Sequence, residues 1–127
     1  MKLLVSGSRT IKDNLYVYQC LNKIAEKYGM PSEIIHGDAP GVDRLAASWG
    51  RVNHIKVTPR PAKWEIYGRK AGYVRNSQMV KECDKGVCLW DGKSKGTKHT
   101  MDLLYKAGKL LKTFYKLGKI GERNEET

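Results

Sequence analysis

Gly86-Val87-Cys88-Leu89-Trp90-Asp91-Gly92-Lys93-Ser94-Lys95-Gly96-Thr97-Lys98-His99-Thr100-Met101-Asp102 is the stretch that decides the architecture of this chain. Its first five residues form an apolar run, as expected of a strand buried on both faces. From Met101 the apolar positions change step: Met101, Leu104, Tyr105 and Gly108 recur at the spacing of a helix. Between the two lies a loop holding Gly92, Gly96, Ser94, Thr97 and three lysines. A strand that ends in such a loop and restarts as a helix presents unpaired backbone N–H groups at the positive end of the helix dipole. That arrangement suits a phosphate or another anion. The same residues also read as a plain strand-to-helix turn.

The pattern repeats along the chain. Residues 2–6, Lys-Leu-Leu-Val-Ser, read as a short buried strand closed by Gly7. Asp13 or Asn14 caps a helix with an apolar stripe at Leu15, Tyr18, Leu21, Ala25 and Tyr28, which Gly29-Met30-Pro31-Ser32 stops. Residues 33–36 form a second strand, and Gly37-Asp38-Ala39-Pro40-Gly41 turns into a helix with Val42, Leu45, Ala46 and Trp49 on one face. Residues 54–57 read as a third strand. A long connection over 58–68 follows, with Pro59, Pro61 and the exposed aromatics Trp64 and Tyr67. Residues 71–82 return to helix with Val74 and Met79 inward, and 110–115 look like a last strand.

Strands alternating with helices predict an α/β fold, a Rossmann-like three-layer sandwich. Its sheet is mainly parallel, with about five strands and helices on both faces. One domain spans 1–120, and 121–127 is a polar C-terminal tail. In such sheets ligands sit beyond the carboxyl ends of the strands, where the strand order reverses. The loops 7–9, 37–41 and 91–97 each follow a strand, so all three open on one edge and make one site.

A chain of 127 residues is one domain by length, large enough to bury a core without staples. No apolar run approaches the roughly 18 residues of a membrane span, and Ser6-Gly7-Ser8-Arg9 ends the first apolar stretch too early for a signal peptide. Three cysteines, Cys20, Cys83 and Cys88, lack metal-ligand spacing and predict a reducing, cytoplasmic setting. Lys and Arg number 24 against 13 Asp and Glu, a net charge of +11. Such a field attracts nucleic acid and phosphorylated small molecules. The lysines are nevertheless dispersed, and Lys106, Lys109, Lys112 and Lys116 fall on expected solvent faces, so a simply solvated basic surface is the other reading. His36, His54 and His99 have no metal-ligand spacing either.

Four segments carry a resemblance. Ser6-Gly7-Ser8-Arg9 is similar to the opening of the SLOG superfamily, in particular its small YspA-like members. His36-Gly37-Asp38-Ala39-Pro40-Gly41-Val42-Asp43-Arg44-Leu45-Ala46 resembles that branch's H-G-x-A-x-G-x-D-x-L-A segment. Gly72-Tyr73-Val74-Arg75-Asn76-Ser77-Gln78-Met79 resembles its G-x-x-R-N-x-x-M segment, and Asp91-Gly92-Lys93-Ser94-Lys95-Gly96-Thr97 stands where relatives carry Gly-Gly-x-Gly-Thr. The likeness runs from Met1 to about Leu117 with the motif order kept. It implies a Rossmann-like domain that binds nucleotides or nucleotide-derived ligands. The superfamily includes the LOG phosphoribohydrolases, which cleave nucleoside monophosphates at the N-glycosidic bond. The DNA-processing protein DprA and sensor domains of bacterial defence proteins also belong to it, so function is not fixed by fold.

Each segment has a chemical task. Gly7 and Ser8 allow close backbone approach and offer a hydroxyl, and Arg9 is a phosphate fork or an ordinary surface arginine. Gly37 and Gly41 supply a tight turn beside Asp38. Asp43 accepts hydrogen bonds from ribose hydroxyls, or is simply a carboxylate favoured at a helix N-terminus. Of the adjacent pair Arg75 and Asn76 at most one points fully into the cleft, and Arg75 matches the arginine that LOG enzymes use near the scissile bond. Its alternative is an ion pair within the fold. Gly92, Ser94, Gly96 and Thr97 hold a phosphate, with Lys93, Lys95 or Lys98 adding charge. Trp64 and Tyr67 either stack on a base or cover the sheet edge.

One departure matters. LOG enzymes place a glutamate two or three residues after the Gly-Thr, and here those positions are His99 and Thr100. N-glycosidic cleavage passes through an oxocarbenium-like state that a carboxylate stabilises, so Asp43, Asp38 or Asp91 would have to serve. Asp43 and Arg75 are the candidate catalytic residues. The leading expectation is therefore binding of a phosphorylated small molecule of the nucleotide class, in a sensing, sequestering or regulatory role. Nucleotide N-glycosidic hydrolysis is one alternative and nucleic-acid binding of the DprA type another. No cofactor is firmly implied, no membrane contact is expected, and the resemblance leans to a homodimer.

Overall fold

The chain runs β1 (Lys2–Gly7), α1 (Asn14–Tyr28), β2 (Glu33–His36), α2 (Val42–Val52), β3 (Lys56–Pro59), α3 (Trp64–Tyr67), α4 (Ala71–Glu82), β4 (Lys85–Trp90), α5 (Lys95–Lys106), β5 (Leu110–Lys116) and β6 (Asn124–Glu126). These elements belong to a computed structural model that describes residues 1–116 and 124–126. The sheet order is β3-β2-β1-β4-β5-β6. Strands β1 to β5 are mutually parallel, and β6 pairs antiparallel with β5. The α/β Rossmann-like sandwich expected from the alternation is therefore the fold.

Side chains leave a strand alternately up and down, and here both faces are dry. Leu3, Val5, Ile34, Val87 and Leu89 gather on one side with Val17, Leu21 and Ile24 of α1 and Val42, Ala46 and Trp49 of α2. Leu4, Ile35 and Cys88 gather on the other with Met79 and Val80 of α4 and Leu104 of α5. Continuous apolar runs in β1 and β4 are what a strand covered on both faces requires. All three cysteines are buried and free. Among the described residues, no helix is long and apolar enough to cross a membrane.

The strands wind outward from β1 to β2 and β3 on one side and from β4 to β5 on the other. The order reverses between β1 and β4, which opens a crevice at their carboxyl ends.

Four expectations are corrected. The stripe of α1 is rotated: Leu15 is 67% exposed and Tyr28 is exposed, while Tyr16, Val17, Cys20, Leu21 and Ile24 form the buried face. Two helix-spaced stripes compete in this helix. The one through Val17, Leu21 and Ile24 wins because it lies over the sheet, and the outlying Tyr18 hydroxyl instead donates to Ser48 Oγ at 2.8 Å.

Strand β3 starts at Lys56 rather than at 54, since His54 sits in a left-handed turn with φ 58°. The strand also contains Pro59, which an edge position tolerates. Lys109 is not a solvent-face lysine: its ammonium takes the Val80 and Cys83 carbonyls at 2.7 Å each and so caps α4. Lys116, with its side chain only 16% exposed, lies over the Tyr16 ring at 4.5 Å.

Of the polar tail expected over 121–127, residues 121–123 and 127 lie outside the described residues, as do 117–120 at the domain's expected end. Asn124–Glu126 is a strand, and a short polar segment on a sheet edge has no apolar alternation to announce it.

Candidate functional site

A cleft of about 620 Å³ opens where the strand order reverses. Its size is that of a small-molecule site, and each of the three loops after β1, β2 and β4 contributes to it. Ser6, Gly7, Arg9 and Thr10 come from the end of β1 and its loop, and Ala39 and Asp43 from the turn into α2. Asp91, Lys93, Ser94, Gly96 and Thr97 come from the turn into α5. Helix α4 closes the remaining side with Gly72, Tyr73, Arg75, Asn76 and Met79, while Trp64 and Arg69 stand at the mouth.

Of the residues expected in the site, the cleft is lined by Gly7, Arg9, Asp43, Arg75, Asn76, Ser94, Gly96 and Thr97. Ser8, Gly37, Asp38, Gly41 and Gly92 are not on its wall. Ser8 is fully buried, and its hydroxyl accepts from the Asp91 N–H at 3.0 Å. Rather than being offered to a ligand, it ties the first loop to the third. Asp38 is exposed and faces Arg44 at 3.7 Å. Gly37 and Gly41 shape the cleft from behind. A Cβ on Gly37 would come within 2.6 Å of Arg75 Nη1, and Gly41 has φ 82° with the Ser8 carbonyl 2.7 Å from where its Cβ would be.

Asp43 is the main polar group of the floor. It stands in the first turn of α2 and is 5% exposed. Oδ2 accepts from the Gly37 N–H at 3.0 Å and the Ala39 N–H at 3.3 Å, whereas the buried Oδ1 has no hydrogen-bond partner. Burial pushes its carboxyl up to about 6, against the pull of the Ala39, Gly37 and Gly7 N–H groups and of the Arg75 guanidinium. A buried acceptor without a donor is costly, and the same residue lines the cleft.

Arg75 and Asn76 both reach the cleft wall, despite their adjacent helical positions. Arg75 folds back over its neighbour, donating Nε to Asn76 Oδ1 at 2.9 Å and Nη1 to the Gly37 and Arg60 carbonyls at 2.6 and 3.3 Å. Asn76 is buried and braces α4 against α5 through the Gly96 carbonyl at 3.4 Å and His99 Nδ1 at 3.2 Å. His99 also stacks edge-on with Tyr73 at 4.5 Å, and its burial lowers its proton affinity. His36 is buried, its Nδ1 accepts from the Asp38 N–H at 3.0 Å, and burial lowers its proton affinity as well.

The turn into α5 is built by two side chains. Ser94 is the N-cap, its Oγ accepting from the Thr97 N–H at 3.4 Å and sharing a hydrogen bond with the Thr97 hydroxyl at 3.1 Å. Asp91 Oδ1 accepts from the Lys93 and Ser94 N–H groups at 2.8 Å each, and Oδ2 accepts from the Thr10 hydroxyl at 2.8 Å. Burial pushes the Asp91 carboxyl up, but those donors outweigh it and hold it below the usual carboxylate value. The N–H groups of Lys95 and Gly96 remain as first-turn donors that no helical carbonyl satisfies. Free N–H groups at a helix N-terminus are of the kind that suits an anion.

Sequence reasoning passed over Thr10, Arg69 and Tyr73 as lining residues. Tyr73 lies within the quoted α4 segment, but nothing in the pattern singles out Arg69 or Thr10. Among the described residues no group of three or more His, Cys, Asp and Glu is placed to hold a metal ion.

Residues 1–67 match the family described as YspA, cpYpsA-related SLOG. The chain is also similar to the Gene 61 protein of Mycobacterium phage D29, with 37% identity over 114 residues that cover 84% of this chain and 90% of that protein. No solved structure matches.

Proposed function

This chain belongs to the YspA, cpYpsA-related SLOG family, and on that premise we propose that its cleft binds a nucleotide or nucleotide-derived ligand, in a sensing, sequestering or regulatory role. The observation that carries the reading is the buried, unpartnered Asp43 Oδ1 in a cleft whose opposite wall is a helix N-terminus. A sugar hydroxyl in the cleft donates to the Asp43 carboxylate on its wall, and a phosphate accepts from the helix N-terminus. Arg9, Arg69, Arg75 and Lys93 supply positive charge around it, and Trp64 and Tyr73 offer ring faces to a base.

The test is thermal shift with a panel of mononucleotides, NAD and ADP-ribose, with mass spectrometry on the same samples. Stabilisation by an intact ligand, lost in Asp43→Asn, supports the reading. No stabilisation at millimolar concentrations overturns it. Asp43 also favours a second reading, N-glycosidic hydrolysis, because a carboxyl with a proton affinity near 6 is suited to acid–base work at physiological pH. Recovery of free base and sugar phosphate in the same assay would select it.

A further inference from the structure

A second hollow of about 600 Å³ lies on the far side of the α5 N-terminus, more open than the cleft. Its walls are Trp90, Tyr73 and His99, with Lys93, Lys95 and Lys98 around them. Tyr73, Lys93 and Ser94 border both hollows, so the two meet along a shared ridge. That ridge is the start of α5: Gly96 and Thr97 face the cleft, and Lys95 and Lys98 face the second hollow. The anion-binding end of the helix therefore stands midway between two ring-lined depressions rather than at the end of one.

The lysines there need a reason. Cations in the first turn work against the helix dipole, and acids are the residues that stabilise it. Helix α5 has no acidic residue in its first turn and begins Lys95-Gly96-Thr97-Lys98. Lys98 is partly neutralised by Asp102 at 2.6 Å, but Lys93 and Lys95 have no carboxylate partner among the described residues. These charges do not serve the helix. They fit an anion lying across its end.

We infer that the site takes a dinucleotide, two nucleoside units joined through phosphate. The phosphates cross the ridge at the α5 N-terminus. One nucleoside lies in the cleft and the other lies over Trp90 and His99. The inference rests on the nucleotide reading above and extends it to a second subsite. The second unit adds ring contact and charge pairing at no further cost in overall immobilisation, so it raises affinity through effective concentration.

Isothermal titration of the full chain compares the four nucleoside monophosphates with the matching dinucleoside diphosphates. One dinucleotide is expected to bind about tenfold tighter or better than its mononucleotide. The exposed pair Lys95→Gln with Lys98→Gln should weaken the dinucleotide several-fold more than the mononucleotide and so remove most of that advantage. Equal affinities for the two ligand sizes overturn the second subsite and leave the nucleotide reading intact. So does a double variant that weakens both ligands alike. Binding of neither ligand class overturns the nucleotide reading and this inference with it.

Discussion

Asp43 ties the chemistry of the site to the stability of the fold. Its carboxyl titrates near 6 in the folded protein and in the ordinary carboxylate range when unfolded. Between those values the folded state holds the extra proton, so the contribution of this group is full in acid and is lost as pH rises through about 6. The loss by neutral pH is on the order of 3 kcal/mol. Asp43→Asn keeps an oxygen for the Gly37 and Ala39 N–H groups and removes the charge. Its stability relative to the parent, read by urea denaturation, is expected to improve steadily from about pH 4 to about pH 7, while ligand binding is lost. A difference that stays flat across that range would contradict the account of Asp43. Two glycines give a matched contrast. Ala at Gly37 presses on the hydrogen-bonded guanidinium of Arg75 and on Asp43 Oδ2, so Gly37→Ala should cost about 1 kcal/mol or more and weaken nucleotide binding about tenfold. Ala at Gly7 overlaps the Val42 side chain, which is fixed in the core, so Gly7→Ala should cost roughly 1–3 kcal/mol or more. Denaturation and titration of both variants separate the two roles.

At the level of elements, the α5 N-terminus is where the sequence was most informative. The change from an apolar run to helical spacing around Ser94 and Gly96 placed both the turn and the helix, and Ser94 is the cap. Ser94→Ala is expected to destabilise the protein by about 1 kcal/mol, and Ser94→Gly by only a few tenths, both read by thermal unfolding. The bounds of helix α4, 71 to 82, were legible, but of its two expected inward residues only Met79 is buried and Val74 is half-exposed. The buried face of helix α1 was not legible, because it carries two apolar stripes and only tertiary packing chooses between them. The role of Ser8 was hidden for a related reason. A serine after a strand reads as a hydroxyl on offer, and nothing local says that a backbone N–H 83 residues later will claim it. Asp91 was read as a possible substitute carboxylate, yet it holds the loop in shape by accepting from two of its N–H groups.

For the molecule as a whole, the net charge of +11 sets how ligands arrive. Nucleotide affinity should fall by several-fold from low to physiological salt, with most of the change in the association rate. Stopped-flow measurement across ionic strength checks this. The fold class was legible because alternating strands and helices have few parallel solutions, whereas β6 was not, since polar edge residues carry no pattern. The crevice between β1 and β4 has one more consequence, which concerns time. Thr10 bonds to Asp91 across 81 residues and Ser8 to Asp91 across 83, so the binding edge is closed by contacts between the first and fourth strands. Loop closure over such spans comes late in folding. A nascent chain that has emerged only as far as β3 has no place for a nucleotide. A ligand therefore cannot hasten folding. One that fills the cleft is expected to act as a latch on the finished protein and to slow unfolding instead.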